Sequence, residues 1–171
     1  MLPAKYSRLL VLLFILTGLQ SFSQTDAEQK KQDQYNQLKD QIDSRKFRFH
    51  ALSATSMKGM TRQLTSDYFL KLDKENLSVD LPYYGRSFTT NYPPTDLSTE
   101  FKSTQFSYKS DSLKKGGWEI TIVPKNEANA SKISLSITTS GYCTVHVNSN
   151  SREPISYYGT ITDYDAKEYP A

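Results

Sequence analysis

The chain has 171 residues with 21 basic and 18 acidic side chains, a formal net charge of +3. The basic residues are interspersed with acids, as in Lys30-Lys31, Arg45-Lys46 and Lys114-Lys115, so the concentrated basic face of a nucleic-acid binder is absent and that class is excluded. A single cysteine, Cys143, excludes an internal disulfide, leaving packing and hydrogen bonding to hold the fold.

Met1 to Ser23 reads as a secretory signal peptide: Lys5 and Arg8 make a positive start, Leu9 to Leu19 is an apolar run of eleven, and Ser21 and Ser23 are the small residues before a cut. The run falls short of the roughly 20 residues that a membrane-spanning helix needs, so no transmembrane anchor is expected after cleavage. No cysteine lies near the cut to carry a lipid. Export as a chain beginning at Gln24 is therefore expected, with 148 residues left once the 23 of the leader are removed. Losing Lys5 and Arg8 takes the 21 basic residues to 19, against 18 acids, so the calculated pI of 8.8 says little about partners. A mature chain of this length suits one domain with a genuine core.

Residues 24–45 form an N-terminal helix or spacer. Tyr35, Leu38 and Ile42 make one narrow apolar stripe at helical period, Thr25 or Asp26 can cap the start, and the helix is expected from about Asp26 to Ser44. The period then changes to two, and residues 46–161 read as a single β-rich domain. Phe47, Phe49 and Ala51 alternate with Arg48 and His50; Met57 to Arg62 reads as a turn; Tyr68, Leu70 and Leu72 form a second strand. Asp73 to Asn76 connects it to Leu77, Val79 and Leu81, and Pro82 marks a strand end. Asn91-Tyr92-Pro93-Pro94-Thr95-Asp96 is a loop signature within the irregular stretch Arg86–Glu100. Further strands follow at Phe106–Tyr108, Trp118–Ile122, Ile133–Ile137, Cys143–Val147 and Ile155–Ile161, and residues 162–171 read as a flexible tail. The predicted class is mainly β (α+β): an antiparallel β-meander sheet, sandwich or partly closed barrel of about eight strands with one N-terminal helix.

Cys143 shares the inward phase of Val145 and Val147 and reads as a core residue, while His146 falls on the opposite phase, so no thiol–imidazole pair forms. His50 and His146 both lie on polar phases and read as two solvated surface histidines without a metal-ligand spacing; no metal and no cofactor are expected. No phosphate-cradling loop, nucleophile elbow or dinucleotide fingerprint occurs. Acids are abundant, but no spacing selects a glycosidase-like pair.

The aromatic residues carry the remaining signal. Leu81-Pro82-Tyr83-Tyr84-Gly85-Arg86 and Ile155-Ser156-Tyr157-Tyr158-Gly159 each end an alternating run in two tyrosines and a glycine. Tyr83, Tyr84, Tyr92, Tyr157 and Tyr158 sit at predicted strand ends and loops, where they can pack or form an aromatic platform. The candidate binding residues are Tyr83, Tyr84, Arg86, Tyr157 and Tyr158. The two segments are expected to lie close together, with Tyr83 and Tyr157 inward and Tyr84 and Tyr158 outward.

Together with Lys115-Gly116-Gly117-Trp118, Gly141 before a strand, and Arg152-Glu153-Pro154, these runs resemble domain of unknown function 4251 over about Lys46 to Ile161. The resemblance implies an exported protein of the Gram-negative envelope, in the periplasm or on the outer surface, and supplies no activity or catalytic residue. The sequence reading is thus a non-enzymatic binding or interaction domain whose partner is an envelope protein, peptide or glycan. The alternative is an envelope carbohydrate- or peptide-processing enzyme using carboxylates that the sequence does not single out.

Overall fold

The computed structural model of the protein describes residues 20–88, 98–127 and 129–165, with side chains from Ala27 onward. Most of the expected leader, the loop around Tyr92 and the end of the tail lie outside the described residues. Among the described residues, no helix is long and apolar enough to cross a membrane.

The chain divides into two compact units between Gln37 and Leu38. In the first, helix α1 (Gln20–Asp43) is polar on nearly every side, and Gln29–Asp33 and Gln32–Asn36 hydrogen bonds at 3.1 and 3.0 Å run along it at i,i+4 spacing. Its described part already covers Gln20, several residues before the expected Asp26. Its last turns belong to the second unit, where Leu38 and Ile42 are buried.

The second unit is one antiparallel sheet of ten strands: β1 (Lys46–Ser56), β2 (Thr61–Gln63), β3 (Phe69–Asp73), β4 (Asn76–Pro82), β5 (Ser98–Ser103), β6 (Phe106–Ser112), β7 (Trp118–Pro124), β8 (Lys132–Ile137), β9 (Tyr142–Asn148) and β10 (Ile155–Thr162). The order is β5-β4-β3-β1-β10-β9-β8-β7-β6, with β2 also paired to β1. Two meanders, β3 to β5 and β6 to β10, are therefore joined by the long β1, which pairs β10 along one side. On its other side β1 pairs β3 through Lys46–His50 and β2 through Ser53–Thr55. The ends of the order, β5 and β6, are consecutive in the chain and separated only by Thr104 and Gln105. The sheet consequently curls until it is nearly closed as a barrel.

Alternation fills the interior with Phe47, Phe49, Leu70, Leu72, Val79, Leu81, Ile120, Ile122, Ile133, Leu135, Val145 and Tyr157, all essentially inaccessible to water. β1 carries an irregularity at Leu52, where the register against β10 shifts between Ala51 and Ser53 and Leu52 turns outward. The expected eight strands become ten because β2 and β5 show no apolar alternation. Thr61, Arg62 and Gln63 are all exposed, and β5 buries Thr99 where an apolar residue is the usual occupant.

Candidate functional site

The two tyrosine-rich segments meet. Tyr157 lies on β10 opposite Ala54 of β1 and Val145 of β9, points into the core, and donates its hydroxyl proton to the Pro82 carbonyl at 2.8 Å. Burial raises its pKa well above the ordinary phenol value, with the neighbouring Tyr83 and Tyr84 adding to the shift. Tyr83, just past β4, is also buried. Its hydroxyl lies 2.7 Å from the Arg86 carbonyl and 3.0 Å from that of Glu153, and burial followed by the Glu153 charge raises its pKa. The Arg152 guanidinium sits 4.9 Å from the Tyr83 ring centre and donates to the Ser98 carbonyl at 2.8 Å.

Backbone bonds complete this junction. Glu153 donates to Arg86 at 2.9 Å, Phe88 donates to Ser151 at 2.8 Å, and Ser87 bridges Arg152. Residues 86–88 are thereby laid antiparallel along residues 151–153.

Each glycine of the pair has its own steric reason. A Cβ on Gly85 would lie 2.3 Å from the Tyr83 hydroxyl, so glycine there lets the phenol reach its carbonyl partners. A Cβ on Gly159 would lie 1.9 Å from the His50 carbonyl, so glycine there lets β10 close on β1. The two Tyr-Tyr-Gly runs thus solve different local problems.

Of the candidate residues, Tyr83 and Tyr157 are 5% and 1% exposed and hold the junction, while Arg86 is exposed beside it. Tyr84 is half-buried under the Arg62 guanidinium, 4.7 Å from its ring centre. Tyr158 points to the outer face of β10, 46% exposed, and stacks on Tyr142 of β9, itself 48% exposed, at 5.9 Å between ring centres and 10° between planes. The register makes them diagonal neighbours, Tyr158 opposite Thr144 and Tyr142 opposite Thr160. Tyr142 was not distinguishable in the sequence, since it precedes the run Cys143–Val147 as an ordinary strand start.

Four further features bear on chemistry. Cys143 is buried with Val145 and Val147, and burial pushes its thiol pKa far up, which leaves almost no thiolate. His146 is exposed, 2.8 Å from the Ser156 hydroxyl. His50 departs from the solvated surface role expected of it: its side chain is 13% exposed and 3.1 Å from Asp67, whose other oxygen pairs with the buried Arg48. The loop before β3 folds Asp67 back over the polar phase of β1 and covers it. Asp80 of β4 stands directly opposite Glu100 of β5, and its carboxyl pKa is raised by burial, then by Glu100 and Asp67. Among the described residues, no three histidine, cysteine or acidic side chains converge as metal ligands.

The described surface includes two grooves. One, of about 490 Å3, is lined by residues of β3, β4, β5 and Tyr164 and contains no carboxylate. The other, of about 370 Å3, is bordered by Pro124, Asn126, Glu127, Ser131 and Asn150, with Glu127 its single acid. Asp80 and Glu100 line neither.

The fold is similar to the crystal structure of a DUF4251 family protein from Bacteroides eggerthii DSM 20697, with a TM-score of 0.59 and 16% identity over 80% of this chain and 95% of that one. No curated protein matches the chain. The sequence profile of the family described as domain of unknown function (DUF4251) matches residues 29–161, and the chain belongs to that family.

Proposed function

We propose that the protein is an exported, non-enzymatic binding domain of the bacterial cell envelope, which holds its partner on the outer face of the sheet around Tyr142 and Tyr158. The observation that carries this reading is the stacked pair itself. Two phenol rings with nearly half their surface in water lie flat beside each other on neighbouring strands, although the other paired tyrosines of the chain are drawn into packing. Such rings offer large contact area at low entropic cost and a polar tip for orientation. The enzymatic alternative asks for two carboxylates flanking a substrate in a cleft. The acids that stand together, Asp80 and Glu100, lie on a sheet face and outside both grooves. Export rests on the leader, and the envelope location on the family resemblance.

The test is to express the full chain in a Gram-negative host, fractionate the cells, and determine the N-terminus of the recovered protein by mass spectrometry. Purified mature protein is then incubated with isolated envelopes. A chain starting at Gln24 that sediments with envelopes and leaves their glycan strands and peptides uncut is the expected result. An intact Met1 in the cytosol refutes export, and released glycan or peptide fragments refute the non-enzymatic reading.

A further inference from the structure

The outer face of β3, β4 and β5 carries a feature separate from the tyrosine pair. The register sets Lys71, Ser78 and Lys102 directly opposite one another across the three strands. With strands about 4.8 Å apart, the two lysine backbones stand about 10 Å apart with the serine between them. The groove of about 490 Å3 opens over this row, and Phe69, Asn76 and Tyr164 also line it. The Lys71 ammonium lies 5.0 Å from the centre of the Phe69 ring. Neither Lys71 nor Lys102 forms an ion pair with a described acid. Lys46 beside them does, 3.5 Å from Asp165, with its ammonium 5.2 Å from the Tyr164 ring centre.

Two ammonium groups without an ion-pair partner among the described acids flank a groove whose lining holds no carboxylate, and they favour an anion there even with Asp73, Asp80 and Glu100 farther along the same face. The remaining lining narrows the class. Phe69 and Tyr164, half-buried rings already flanked by Lys71 and Arg48 and by Lys46, add apolar surface for the carbon face of a sugar, while Ser78 and Asn76 both donate and accept hydrogen bonds, as sugar hydroxyls require. An extended acidic peptide would seek the unpaired backbone of a sheet edge. The groove opens chiefly on the face of the sheet over β4, whose ladder bonds are taken by β3 and β5, and only its rim reaches the end strand β5. We propose that the groove binds an acidic saccharide segment, with carboxylates on two of its residues engaging Lys71 and Lys102 and its rings lying against Phe69 and Tyr164.

Titration calorimetry of the full mature chain at low salt tests this, using a hexamer of galacturonic acid as the probe. The fully methyl-esterified hexamer supplies the same rings without charge, and hexaglutamate supplies charge without rings. The acid hexamer is expected to bind, and the other two to bind far more weakly. Lys71→Gln and Lys102→Gln should each weaken binding roughly three- to fivefold, as expected for partly exposed charge contacts, and Lys102→Arg should restore most of it. The melting point of Lys102→Gln should be unaffected, since Lys102 is exposed and breaks no ion pair with a described acid. Absence of binding by wild-type protein at about 1 mM probe overturns the proposal. So does a Lys71→Gln/Lys102→Gln protein that binds like wild type, equal binding of the ester, or equal binding of hexaglutamate.

Discussion

Removing the Tyr157 hydroxyl alone should measurably weaken the fold. The residue is 1% exposed and its phenol donates to the Pro82 carbonyl at 2.8 Å, tying β10 to the end of β4. Tyr157→Phe keeps the ring and its packing but strips a buried acceptor of this donor, a loss of about 1–3 kcal/mol. Tyr157→Ala adds a cavity beside Ala54 and Val145 and should cost about 3–5 kcal/mol, as other large-to-small aromatic changes do. Tyr158→Ala removes only the outer-face stack with Tyr142, worth less than about 1 kcal/mol. Urea unfolding followed by Trp118 fluorescence gives these differences as midpoint shifts at constant slope. In a thermal scan each kcal/mol appears as roughly 2–4 °C. Hydrogen exchange adds a local readout: the Phe88 and Glu153 amides, bonded within the same junction, should exchange faster in Tyr157→Phe. A Tyr157→Phe protein within about 0.5 kcal/mol of wild type, or a Tyr158→Ala protein as damaged as Tyr157→Ala, would refute the assignment of inner and outer tyrosines.

Three other outcomes are expected. Gly159→Ala should destabilise the domain by about 1–3 kcal/mol or more, because its methyl group would meet the His50 carbonyl and must push β10 away from β1; unchanged urea midpoints would show that the strands part without cost. Cys143 should resist a thiol reagent in native protein and react only on unfolding, since it is buried and its thiol pKa is raised; rapid labelling under native conditions would contradict this. Asp80 holds its proton more tightly folded than unfolded, so it favours folding most below the ordinary value of 3.8, and that contribution disappears as pH rises through the raised folded value. Asp80→Asn should therefore flatten the loss of stability with pH across that window, and an unchanged slope would remove Asp80 as its source.

Much of the sheet could be read in advance because a half-buried strand repeats every two residues. Phe47 and Phe49, Leu70 and Leu72, and Val145 and Val147 announced both their strands and their inward faces. The same phase correctly separated Tyr83 from Tyr84 and Tyr157 from Tyr158. Strand β2 gave no such signal, because Thr61, Arg62 and Gln63 are held by pairing to β1 and bury nothing. Strand β5 was hidden because Phe101 is half-buried and the fully buried position belongs to Thr99. Losing β5 also hid the groove, since Lys102 meets Ser78 and Lys71 only through the β4–β5 register. His50 misled for a related reason. Its polar phase suggested water, yet Asp67 reaches it from a loop 17 residues away, and local periodicity cannot report such a fold-back. The role of Arg152, buried against Tyr83, depends on the same kind of long-range closure.

The central claim is that the outward tyrosines, and not the buried ones, hold the partner. Envelope sedimentation of wild-type mature protein beside Tyr142→Ala/Tyr158→Ala, with melting points measured in parallel, tests it most directly. The account predicts that the double variant melts within a few degrees of wild type, at roughly 2–4 °C per kcal/mol, yet stays in the supernatant. A double variant that remains folded and sediments with envelopes as wild type does would contradict it.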